Sequence, residues 1–339
     1  MTRLLTLYKK VIIPAFIIIL CTFALAGCKG SSAGADGVST IKICVAMPRD
    51  DFRCDYVRQF ASDVETGTQG RVKCDVHYQD EYGDQLLIYD DMKKGKVDVS
   101  IIAAPYFTDI VPEEGITGLP YLFTDHETAW EFSECDINRE VDDKLEKRGF
   151  KVLSHYCGSF RNLSNSVRPI NTPEDMKGLI IGTVKSKTLM DMFSVLGATS
   201  YSYVSSELYD NLNRRTFDGA DWSATTFYTN EYYKIQNYVA VTNHAYNLWN
   251  MVMRTSVYNS LSEEDRAVID AAAKVSAEGE HEAVHQNEED IFKKLEELGL
   301  EVTYPDLKPF IEATEKIREN YSGDFKDVYA KTRQWLDNR

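Results

Sequence analysis

Ile41-Lys42-Ile43-Cys44-Val45-Ala46, Val72-Lys73-Cys74-Asp75-Val76-His77-Tyr78 and Val97-Asp98-Val99-Ser100-Ile101-Ile102-Ala103 are three short apolar or alternating runs, and what separates them decides the fold class. Between them, residues 55–65 and 85–94 carry apolar side chains at helical spacing. Strand-length runs alternating with amphipathic helices predict βαβαβ, a parallel sheet covered by helices. Further along, residues 151–156, 179–184 and 201–204 repeat the strand pattern, with helical spacing at 186–196, so a second α/β unit follows the first. Ligands of such sheets bind beyond the carboxyl ends of the strands, which directs attention to the loops after Ala46, Ala103, Tyr156 and Val184. None of these loops carries a P-loop, a GxGxxG or a GxSxG sequence.

Residues 261–299 differ in kind. Ser262 is a good N-cap with Asp265 three positions on, Gly299 is a good stop, and no proline intervenes. About 36 residues at 1.5 Å each predict a helix of about 54 Å, long enough to cross two small domains. Ala267, Val268, Ala271, Val275, Ile291, Phe292, Leu295 and Leu298 are its expected buried stripe, and Gly279 marks either a bend or a break into two helices. The same stretch holds His281-Glu282-Ala283-Val284-His285, an HExxH pattern that can place two histidines on one helix face around zinc, with Glu282 activating water. Its neighbours Glu278, Glu280, Glu288, Glu289 and Asp290 suggest instead a solvated, charged face, and no later histidine completes a larger zinc motif.

The amino end has Arg3, Lys9 and Lys10, then an apolar stretch from Val11 to Ala26, then Leu25-Ala26-Gly27-Cys28. A charged start, an apolar middle too short for a lasting span and small residues before a cleavage point describe an export signal over residues 1–27. The cysteine after Leu-Ala-Gly resembles the bacterial lipobox, which implies lipidation at Cys28, a flexible tether over 28–39 and an extracytoplasmic location on a lipid anchor. Removing residues 1–27 takes away three bases and no acid, moving the formal charge from -15 to -18. Such a surface repels phosphate backbones and argues against nucleic acid as a partner. The cysteines at 44, 54, 74, 135 and 157 form no CxxC, and Cys44 and Cys74 are open to reading as buried thiols or as a disulfide.

A longer, ordered set of motifs follows. It includes Gly158-Ser159-Phe160-Arg161-Asn162-Leu163-Ser164-Asn165, Pro173-Glu174-Asp175-Met176-Lys177-Gly178-Leu179, Ser206-Glu207-Leu208-Tyr209, Phe217-Asp218-Gly219-Ala220-Asp221-Trp222 and Val241-Thr242-Asn243-His244. Together with Gly95-Lys96-Val97-Asp98 and Leu119-Pro120-Tyr121-Leu122-Phe123, these resemble the DctP-type solute-binding proteins of TRAP transporters over nearly all of residues 40–320. The resemblance implies an α/β, two-lobed periplasmic-binding-protein-like fold with a long helix spanning both lobes. It places lobe 1 at 40–158 plus about 249–287, and lobe 2 at 159–248 plus about 288–339. It also implies a receptor rather than an enzyme, with a small-molecule solute and TRAP membrane permease subunits as partners.

Carried over by position, the resemblance puts Arg161 near the ligand, where a guanidinium suits a carboxylate. The family's main carboxylate-clamping arginine falls at Gly182, which offers space but no charge. Asp221-Trp222 replaces the family's Glu-Asn pair and looks like the branch in which an acid beside Trp adjoins a bound cation. Asp221 therefore either holds a possible cation that grips a carboxylate, or faces a positive ligand directly. Tyr201, Tyr203, Tyr209, Trp222, Phe227, Tyr228, Tyr232 and Tyr233 supply aromatic faces that attract ammonium groups, though most are expected to be packing. An organic acid is the favoured solute, with a neutral or amine-bearing one as the alternative and a zinc hydrolase on His281, Glu282 and His285 as the rival from another class.

Overall fold

The computed structural model of the protein describes residues 38–203 and 207–339. The export signal, Cys28, most of the tether, and Val204 and Ser206 of the motifs above lie outside the described residues. Among the described residues no helix is long and apolar enough to cross a membrane.

Among the described residues one sheet of nine strands organises the fold: β1 (Ser39–Cys44), β2 (Val72–His77), β3 (Val99–Ala103), β4 (Phe150–Asn165), β5 (Ile180–Thr183), β6 (Thr199–Ser202), β7 (Gly219–Trp222), β8 (Tyr238–Arg254) and β9 (Glu301–Thr303). Its order is β2-β1-β3-β8-β4-β7-β5-β6, with β9 on β8. The flanks are parallel, as the βαβ reading requires: β1 pairs β2 and β3, and β5 pairs β6 and β7. Between them β4 and β8 run antiparallel to each other and join the flanks, which gives two α/β lobes on shared strands.

Alternation sorts the strand side chains onto two faces. Ile41, Ile43 and Val45 enter one core with Val57, Phe60 and Val64 of the helix Arg53–Gly67, while Cys44 enters the core on the other face with Ile88, Phe107 and Phe132. In the second lobe Leu163 and Ile181 pack with Leu189, Met192 and Phe193 on one face, and Ala220 and Trp222 pack with Phe227 and Val239 on the other. Cys44 and Cys74 are free thiols. Cys74 pairs in register with Ile41 and Cys44 with His77, so the two cysteines are not opposite one another.

The long helix is unbroken over Glu263–Glu297, with the Ser262 side chain accepting from the Asp265 amide. Gly279 marks no break. A Cβ there would lie 2.7 Å from the ring of Tyr56, so the glycine lets this helix approach the helix Arg53–Gly67 closely. The helix joins both lobes, with Ile269, Ala272, Ala273 and Ala277 in one core and Ile291, Phe292 and Leu295 in another. The expected stripe is thus right for its second half except Leu298, and is rotated in its first half. Val275 is 55% exposed, and the buried face is made of small residues and of Ser276, Glu280 and Glu288. Small side chains fit the close approach, and the two buried acids bind β4, an arrangement that a hydrophobicity pattern does not register.

Candidate functional site

The crossing strands lose register between Cys157 and Phe160 and again between Arg161 and Leu163, in the passage from one lobe to the other. Ser159 and Asn243, one on each strand, have φ of 70° and 41°, and backbone in the left-handed region is uncommon for such residues. These irregularities turn Arg161 toward β7. Its Nε donates to Asp221 Oδ2 at 2.5 Å and its Nη2 to the Asp221 carbonyl at 2.9 Å. The Tyr203 hydroxyl reaches the same carbonyl at 3.5 Å.

Asp221 is fully buried and its Oδ1 has no partner. Burial opposes its charge, but Arg161 and His244 outweigh burial and hold the carboxyl well below the usual range. His244 Nε2 lies 3.4 Å from Asp221 Oδ2, and its Nδ1 is 2.9 Å from Thr242 Oγ1. Burial lowers the pKa of this histidine, favouring the neutral ring, for which a proton on Nε2 suits both neighbours.

The sequence-predicted site residues divide between two faces. Arg161, Asp221 and Tyr203 come together. Trp222, next to Asp221 on a strand, points the other way: it is 1% exposed, stacks on Phe227 at 4.0 Å, and donates Nε1–H to Ser164 Oγ at 2.9 Å. That is a core position, and the period of two is the signal that could have separated it from Asp221. Tyr201 is 54% exposed on the edge strand β6, facing Phe217 with ring centroids 6.5 Å apart. Of the remaining aromatics, Phe227 and Tyr232 belong to the core, with Tyr228 and Tyr233 packed against it.

Gly182 does not offer open space. A Cβ there would lie 2.8 and 3.0 Å from Phe217 ring atoms and 3.3 Å from Tyr203 Cδ1, so two aromatic rings fill the place. At Asp221, Arg161 and His244 take Oδ2 and Arg161 supplies a balancing charge, while Oδ1 is unpartnered. Among the described residues no group of three or more His, Cys, Asp or Glu side chains is placed to hold a metal.

The HExxH residues serve packing. His281 stacks on Trp130 at 4.2 Å, His285 stacks on His126 at 4.9 Å, and Glu282 is exposed. Burial, followed by His126 and His285, lowers His281 to about 4. The helix face beside these histidines is only partly solvated. Glu280 Oε2 accepts from the Cys157 amide at 2.8 Å, Glu288 Oε1 accepts from Ser159 Oγ at 2.8 Å, and Glu288 Oε2 meets His126 Nε2 at 2.5 Å. These acids tie the long helix to β4 where its register breaks.

On the first lobe, sequence reasoning named the loop after Ala46 but no residue in it. There Arg53 Nε and Nη2 donate to the two oxygens of Asp51 at 2.9 and 2.6 Å, and the guanidinium lies 5.0 Å above Trp249. The run Arg49-Asp50-Asp51-Phe52-Arg53, charged at a strand's carboxyl end, was the available signal.

Comparison with known proteins agrees with the fold. Residues 45–324 match the family described as bacterial extracellular solute-binding protein, family 7, or DctP. The chain is 24% identical over 295 residues to the 2,3-diketo-L-gulonate-binding periplasmic protein YiaO of Escherichia coli, covering 86% of this chain and 90% of that protein. It is 23% identical over 295 residues to the sialic acid-binding periplasmic protein SiaP of Vibrio cholerae, covering 87% and 92%. A TRAP periplasmic solute binding protein from Polaromonas sp. JS666, solved bound to D-erythronate, superposes with a TM-score of 0.79 at 25% identity, covering 86% of this chain and 97% of that one.

Proposed function

The chain belongs to family 7 of the bacterial extracellular solute-binding proteins, and we propose that it captures a small organic acid between its lobes and delivers it to a TRAP membrane permease. It is a DctP-type TRAP solute receptor, not an enzyme. The observation that carries the ligand reading is Arg161, placed where the crossing strands change register, with Nε and Nη2 held by Asp221. The named solutes of YiaO, SiaP and the Polaromonas protein are acids, which supports the same class here.

The lobes in this proposal are 40–158 with about 249–287, and 159–248 with about 288–339. The solute lies against the crossing strands and its preference for the closed arrangement sets how far the population shifts. Leu25-Ala26-Gly27-Cys28 supports a lipid anchor at Cys28, and the acidic mature chain touches the membrane through that lipid. A second reading, a neutral or amine-bearing solute, is favoured by the free Oδ1 of Asp221 and by the rings over Gly182.

Calorimetric titration of Arg161→Ala with the acid bound by the wild type tests the reading. Loss of a buried charged contact should cost about 2 kcal/mol or more. Unchanged affinity in a folded variant removes Arg161 from the ligand.

A further inference from the structure

β8 carries Met253, Met251 and Trp249 in a row on one face. The two methionines are core, and the row ends at Trp249, which pairs with Ala103, the last residue of β3, and with Tyr156 of β4. Trp249 therefore sits at the carboxyl ends of the parallel strands of lobe 1, two residues of β4 before the crossing glycine, Gly158. A Cβ at Gly158 would lie 2.5 Å from Trp249 Nε1, so the indole can occupy this place only against a glycine. Its N–H is buried and unpartnered.

Arg53 lies over the same ring, its side chain 11% exposed and that of Asp51 7% exposed. Asp51 takes Nε and Nη2 and balances the charge, leaving Nη1 as a further donor. Glu280, whose Oε2 accepts from the amide of Cys157, the residue before Gly158, is fully buried and has Oε1 unpartnered. Tyr156 and Arg161 are five residues apart on β4, about 16 Å or less at strand rise, so this group and Arg161 lie on neighbouring stretches of the same crossing strand.

We propose that Arg53, Trp249 and Glu280 form a second subsite that reads the far end of the solute, and that this end is electrically neutral and oxygen-bearing, a hydroxyl or carbonyl tail. The chemistry follows from the inventory. Two N–H donors and one carboxyl oxygen converge, and leaving buried groups of this kind unpaired is costly, so oxygen atoms of a tail are the fitting partners. A second carboxylate is not, because Asp51 already neutralises Arg53 and a further anion would bring an unbalanced charge into a buried place. The subsite thus selects polyhydroxy monoacids over diacids. The inference rests on the organic-acid reading above.

Two pairs of acids, D-erythronate against meso-tartrate and D-gluconate against D-glucarate, differ only in a terminal CH2OH or carboxylate. Butanoate and hexanoate keep the chain length without hydroxyls. Affinities for the wild type, Trp249→Phe, Arg53→Lys and the double variant Asp51→Asn with Arg53→Gln are measured by titration. In the wild type, at least one hydroxyacid should bind ten-fold or more tighter than both its diacid and its alkyl acid. Trp249→Phe and Arg53→Lys should reduce the preference over the alkyl acid to about three-fold or less. The double variant removes the positive charge together with its partner, keeping a neutral hydrogen-bonded pair, and should do the same. Because each ratio is taken within one folded variant, a general loss of stability does not move it. Equal or tighter binding of the diacid, or unchanged ratios in the variants, overturns the subsite while the receptor's acid class stands. Failure of every acid to bind the wild type overturns both, and the wild-type measurement alone reveals it.

Discussion

Arg161 and Asp221 form a two-point ion pair, Nε to Oδ2 at 2.5 Å and Nη2 to the carbonyl at 2.9 Å, across the junction of β4 and β7. The carboxylate is fully buried and the arginine side chain 12% exposed. Breaking such a pair from one side strands a charge in the interior, at about 3–5 kcal/mol, whereas replacing both partners by apolar residues is often neutral. Asp221→Ala should therefore destabilise strongly in a denaturant titration, and Arg161→Met with Asp221→Leu should recover most of the loss. Equal destabilisation by the double and the single variant would show that the pair is not the source of the cost.

Gly182→Arg should not create a carboxylate clamp. Its Cβ meets the Phe217 ring at 2.8 Å, and overpacking of this kind costs about 1–3 kcal/mol. The melting temperature should fall, by about 2–4 °C per kcal/mol in a chain of this size or somewhat smaller. Adding Phe217→Ala should relieve the strain. A stable Gly182→Arg variant with strengthened acid binding would mean that the rings yield and the position opens to the ligand.

Stability should decline from mildly acidic to alkaline pH. Burial opposes the imidazoliums of His126 and His155, but Cys157 and Glu288 around the first, and Asp142 and Glu134 around the second, raise both to about 10. Burial pushes Glu114 and Glu280 up to about 8. All four hold protons more tightly folded than unfolded. Their contribution is complete below the unfolded values and is lost as pH rises through the folded ones, over about 4.5–8 for the acids and 6.5–10 for the histidines. Asp221, shifted downward, acts only in strong acid, and His244 and His281 act in the opposite sense below about 6.5. The melting temperature at pH 6 should exceed that at pH 9, and His126→Gln should flatten the decline. A melting temperature that rises across this interval contradicts the assignment.

Chelation should be without effect. His281 and His285 are spent on the rings of Trp130 and His126, and His281→Ala should cost about 1 kcal/mol of stacking while leaving solute affinity unchanged. Stoichiometric zinc in the purified protein, lost with His281→Ala, would revive the hydrolase reading.

Much of this architecture was legible in the chain, because strand and helix periods are local. Residues 41–46, 72–78 and 97–103 announce parallel strands, and Ser262 and Gly299 bracket the long helix. What was not legible depends on partners distant in sequence. Glu280 and Glu288 look solvated beside their acidic neighbours, yet they bond Cys157 and Ser159, more than a hundred residues away. Gly182 reads as an empty place until Phe217 and Tyr203 are folded over it. Asp221 next to Trp222 reads as a pair, although strand geometry sends the two to opposite faces. Arg53 had no pattern to mark it beyond its charged loop.

The most direct measurement is thermal unfolding of residues 29–339 against a panel of small hydroxyacids, amines and polyols. A ligand at 1,000 times its dissociation constant adds about 4 kcal/mol, a shift of several degrees. The account predicts stabilisation by one or more carboxylic acids and its loss in Arg161→Ala. Stabilisation by amines or neutral polyols alone, with no response to any acid, would contradict it.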